Sequence, residues 1–111
     1  MIGLLMLAQA AVTVSDDDRT AFVDYRKCIL GEIEKAPRDT GIGPALQNAR
    51  TTCHMDEAAT GLDMAGNDFD SQGDSRKRPK FSVEQRLAVM EGELTGEATA
   101  LFEQKKADFK H

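Results

Sequence analysis

The chain has 111 residues, 30 % of them charged, with a formal net charge of −5, a single Tyr and no Trp. This length holds one modest domain, and the mildly acidic balance argues against a basic nucleic-acid face or an aromatic platform for single strands. No apolar run reaches the 18 or so residues that a membrane-spanning helix needs.

The opening, Met1-Ile2-Gly3-Leu4-Leu5-Met6-Leu7-Ala8-Gln9-Ala10, reads as a signal-peptide remnant. A short apolar run leads into Ala8 and Ala10, small residues at the −3 and −1 positions of a signal-peptidase site. Ser15-Asp16-Asp17-Asp18 then makes a sharp polar switch. No Lys or Arg precedes the run, so its positive charge comes from the amino group or from an upstream start. The expected mature chain begins at Ala11 and is periplasmic or secreted.

The first helix is expected to open near Ser15, with a side-chain cap and with Asp16, Asp17 and Asp18 at the positive end of the helix dipole. Phe22, Tyr25, Ile29, Ile33 and Ala36 follow at spacings of three and four and form its inward stripe, with Val23 and Leu30 on a second side. Pro37 ends it, and Pro37 to Gly43 forms the turn. A second helix is expected from Pro44 to a stop at Gly61, with Ile42, Leu46, Ala49, Cys53 and Thr60 along one side. If the two helices fold back on each other near residue 40, Cys28 and Cys53 arrive at the same height. They are the only cysteines, so one intramolecular disulfide is possible, and it suits an oxidising compartment. Closing a loop of about 25 residues stabilises by roughly 3–3.5 kcal/mol in the loop-entropy picture. With roughly 75 ordered residues, a core of this size needs such a staple.

Residues 63–80 read as a flexible charged linker, in which Asp63, Asp68, Asp70 and Asp74 precede Arg76, Lys77, Arg78 and Lys80 without apolar periodicity. The last segment, 81–111, begins with a capping box, Ser82-Val83-Glu84-Gln85. Val83, Leu87, Met90, Leu94, Ala98 and Leu101 give it a continuous stripe, flanked by Phe102 and Phe109. Gly92 and Gly96 each weaken it by about 1 kcal/mol relative to Ala, and either admit a close neighbour or are tolerated. The expected architecture is an all-α bundle: a disulfide-pinned hairpin over 11–62, the linker, and a long C-terminal amphipathic helix.

Little in the pattern carries chemistry. Asp68, Asp70 and Gly73 match the opening of a calcium loop, with Asp74 beside them, but Gln72, Arg76 and Pro79 stand where later ligands belong. A zinc site would have to use His54 with Asp56 and Glu57, short of the usual ligand set. The cysteines lie far apart and mid-helix, unlike a reactive Cys-x-x-Cys pair. The neighbouring carboxylates Asp56/Glu57 and Glu91/Glu93 read as helix surface. The sequence therefore points to a non-catalytic exported protein, without cofactor, acting through contact with another protein or in envelope maintenance. Two alternatives are a cation- or ligand-binding carrier using the loop 63–74, and a cytosolic regulatory or phage-type protein with a basic contact loop.

Overall fold

A computed structural model describes residues 11–70, 73 and 79–110, the side chains of 109 and 110 excepted. The leader expected over 1–10, Asp74, the Arg76-Lys77-Arg78 run and the Phe109 side chain lie outside the described residues. Within them the chain is all-α: α1 (Asp16–Lys35), α2 (Ile42–Thr52), α3 (His54–Asp70) and α4 (Val83–Lys110), with a Cys28–Cys53 disulfide.

Helix α1 starts in a reciprocal capping box. The Ser15 hydroxyl accepts from the Asp18 N–H at 3.1 Å, and the Ser15 N–H donates to Asp18 Oδ2 at 3.1 Å. At the other end Ala36 is extended, with φ −63° and ψ 140°, as expected for a residue before proline. The ammonium of Lys105, on α4, donates to the carbonyls of Ile33, Glu34 and Ala36 at 2.9, 2.6 and 2.8 Å. A cation thus sits at the negative end of α1, where the last carbonyls have no partner within the helix.

The single second helix expected from Pro44 to Gly61 is in fact two helices. Cys53 leaves helical geometry, with φ −99° and ψ 14°, yet its N–H still bonds Ala49 O at 2.9 Å and its carbonyl accepts from Glu57 at 3.1 Å. The helical path therefore bends at the disulfide without unravelling. Helix α2 begins at Ile42, so Pro44 occupies the third position of the first turn, where its missing N–H still leaves nothing unsatisfied. Gly61 does not stop α3. The roughly 1 kcal/mol that a helical glycine costs is outweighed by the anchorage beyond it: Met64 is buried and Asp68 is ion-paired. Residues 63–70 of the expected linker are accordingly helical.

Helix α4 opens as its sequence indicates, with the Ser82 N–H on Gln85 Oε1 at 2.8 Å and the Gln85 N–H on the Ser82 hydroxyl at 3.1 Å. The core gathers Phe22, Tyr25, Ile29 and Ile33 from α1 around Ala49, Met64, Met90, Leu94, Ala98 and Phe102. Helix α1 touches all three others and is the centre of the bundle. Ala45 and Ala49 let α2 lie close to α1, and the Cα atoms of Cys28 and Cys53 stand 5.9 Å apart. Phe102 is fully buried while Leu101 is only half-buried, so the α4 stripe turns slightly from its expected path. Gly92 and Gly96 face open space and admit no close neighbour.

Replacing both cysteines by Ala is expected to lower stability by about 2–5 kcal/mol in denaturant titration, the usual loss for a small disulfide-bonded domain. An unchanged midpoint under non-reducing conditions would contradict the role given to the bridge.

Candidate functional site

Helix α3 is apolar on two opposite sides. One side, with Thr60 and Met64, is packed inward, and the Thr60 hydroxyl lies 3.0 Å from the Ala21 and Asp56 carbonyls. On the other side Met55, Leu62 and Phe69 are 70, 74 and 70 % exposed. Seven residues make nearly two turns, drifting only about 20° per step, so these three side chains form one row. Ala58, Ala59, Ala65 and Gly66 fill the intermediate steps, all exposed.

An acidic row runs beside it. Asp56, Asp63 and Asp70 repeat at the same interval, each one residue further along and therefore about 100° round the helix. Helix α3 contains no Lys or Arg. A groove of about 470 Å³ between α1 and α3 joins the two rows, taking in Asp17 from α1 with Leu62, Asp63, Gly66 and Asp70. The row was divisible in the sequence only because Gly61 read as a stop, which left Leu62 and Phe69 in a linker. The seven-residue interval was the available signal.

Behind this face lies a buried charge cluster. Arg86 is 4 % exposed and Asp18 is 2 % exposed. Arg86 Nη1 donates to Asp18 Oδ1 at 2.6 Å, Nη2 pairs with Asp68, and Nε donates to the Phe81 carbonyl at 3.1 Å. Asp18 thus spends one oxygen on its own capping box and the other on α4 (the start of α1, the end of α3 and the start of α4 are tied at one point). The adjoining cleft of about 480 Å³ also takes in Asp17 and Lys80. The calcium reading of Asp68 and Asp70 finds these two residues in the last turn of α3, Asp68 engaged by Arg86 and Asp70 exposed. Among the described residues no three His, Cys, Asp or Glu side chains converge as a metal site. His54 is exposed, its Nδ1 3.0 Å from the Thr51 carbonyl.

The carboxylates expected at the surface pair differently. Glu57 meets Glu91 across α3 and α4, with the Tyr25 hydroxyl of α1 interacting with both. Burial and the neighbouring Glu57 raise Glu91 to about 7. Glu57 is held below the ordinary range, first by its hydrogen bond with Glu91 and also by Tyr25, Arg50 and His54, while burial pushes the Tyr25 hydroxyl up. The two carboxyls are thus pushed in opposite directions, Glu91 towards its protonated form and Glu57 towards its ionised form. The cavity beside Tyr25 and Glu91 is about 10 Å³, room for no more than a water. The sequence did carry a sign of both clusters: Asp18, Glu57 and Arg86 each fall on the inward stripe of their helix, three or four residues from a core side chain.

Arg86→Met is expected to destabilise by about 3–5 kcal/mol, because Asp18 is left buried without its counterion. Adding Asp18→Asn, which keeps the cap acceptor, should recover part of that loss; no recovery in the double variant would contradict the pairing. Between the ordinary carboxylate range and about pH 7, Glu91 in the folded chain keeps a proton that the unfolded chain has already released. Stability from this group is complete below about pH 4.5 and is lost as pH rises towards about 7. Glu57, held low, acts in the opposite sense and only at more acidic pH. Glu91→Gln should flatten the fall in melting temperature between pH 5 and pH 8 and exceed the wild type at pH 8. An identical slope in both proteins would rule out a raised Glu91.

Comparison of the chain with protein-family models, with curated proteins and with solved structures finds no match to any of them.

Proposed function

We infer that this is a small exported helical protein that works without catalysis, by contact with another protein, and that the outward side of α3 is the contact face. The observation that carries this reading is the Met55–Leu62–Phe69 row, three large apolar side chains left in water on a helix whose opposite side is already packed. Large aligned apolar side chains of this kind favour a partner, whereas scattered exposed ones do not. The disulfide supports export, since thiols pair and stay paired in oxidising compartments, and the leader-like first ten residues agree with it. No described helix is long and apolar enough to cross a membrane. A role in envelope maintenance fits the same address. The carrier alternative has less to rest on, because Asp68 is held by Arg86.

A photo-crosslinking residue placed at 62 or 69, in cells of the native host, should give an adduct of one defined size, and the same residue at 104 on exposed α4 should not. Chain recovered from those cells should begin at Ala11 with both cysteines oxidised. Adducts of equal yield from all three positions, or none at 62 and 69, would remove the contact face; free thiols on a chain starting at Met1 would remove export.

A further inference from the structure

We propose that the partner of α3 is a basic amphipathic helix, one whose apolar seam is flanked by Lys or Arg. This rests on the contact-face reading above and specifies its chemistry. The spacing of Met55, Leu62 and Phe69 is that of a helix–helix seam, in which each large side chain enters a gap on the facing helix. The small residues between them, Ala58, Ala59, Ala65 and Gly66, leave the complementary gaps and allow a second backbone to come close.

Charge selects among possible occupants. Asp56, Asp63 and Asp70 line one flank of the seam, and Asp17 joins Asp63 and Asp70 across the groove from α1. No Lys or Arg on α3 offsets them, and among the described residues none lines that groove. A second α3 would bring no cation to this flank, and an antiparallel copy would set carboxylates against carboxylates. An anionic lipid surface or a nucleic acid would meet the same repulsion. A helix with Lys or Arg beside its apolar seam satisfies both rows at once, and the acidic flank gives it preference over an acidic competitor.

The test uses the full-length oxidised protein and two synthetic three-heptad helices with Leu at the seam, one flanked by Lys and the other by Glu, followed by fluorescence anisotropy. The Lys helix should bind at least about tenfold more tightly at low salt, with the margin shrinking as salt screens it. Asp63→Lys with Asp70→Lys should invert the preference. Leu62→Gln with Phe69→Gln should weaken the Lys helix by about tenfold or more, and all four changed side chains are exposed, so folding is unaffected. Equal binding of the two helices, no inversion, or Lys-helix binding that survives the Gln changes would overturn the proposal. So would a concentration-dependent dimer that the Gln changes abolish, since a second copy would then be the occupant. Crosslinks from 62 and 69 that persist beside a failed charge inversion would sink the partner's chemistry and leave the contact face standing; loss of the crosslinks would sink the face itself.

Discussion

The covalent tie between Cys28 and Cys53 fixes more than two residues, because of where each stands. Cys28 lies in the middle of α1, the helix that every other helix packs against, and Cys53 is the single residue between α2 and α3. One bond therefore sets the position of α2 and the starting point and heading of α3 together. From Cys53, α3 continues along α1 towards Ser15, with Thr60 and Met64 inward and the Thr60 hydroxyl on the Ala21 carbonyl. Once those side chains are inward, helical periodicity leaves no choice for Met55, Leu62 and Phe69, which lie half a turn away. The exposed row is thus a consequence of the same constraint that builds the core.

Charge adds to apolar packing at both ends of the bundle. At one end Arg86 collects Asp18, Asp68 and the Phe81 carbonyl; at the other Lys105 collects three carbonyls at the close of α1. Both cations belong to α4, so the last helix clamps the hairpin at both extremities. Arg19 and Arg26 of α1 pair with Glu93 and Glu97 of α4 between these points, but those pairs are exposed and screened, and such pairs contribute little. The buried arginine is different. Its removal strands a carboxylate, whereas an apolar replacement of the whole cluster need not weaken the fold.

Much of this was legible in the residues. Caps at Ser15 and Ser82, the turn at Pro37, the inward stripes of α1 and α4, and the pairing of the cysteines all follow from local chemistry with few competitors. What was not legible depended on tertiary partners. Nothing at Cys53 itself announces a break, since neither Pro nor Gly is present and the bend arises where the bridge is made. Gly61 reads as a stop locally and is overruled by Met64 and Asp68, which earn their stability only against α1 and α4. Ionisable residues on inward stripes were visible as positions, but Arg86 could not be matched to Asp18, nor Glu57 to Glu91, before the helices were placed. The contact face was lost for the same reason: a helix cut short at residue 61 contains only the first of its three large side chains.

Chain order gives the buried arginine a further consequence. Both cysteines precede Val83, so the disulfide closes within the part of the chain that comes before the last helix. Within that part Asp18 has its cap but not its cation, Arg86, and the carbonyls at the end of α1 are met by the Lys105 ammonium of α4. The final helix therefore acts on the hairpin as an electrostatic latch over a covalent hinge, neutralising one end and covering the carbonyls at the other.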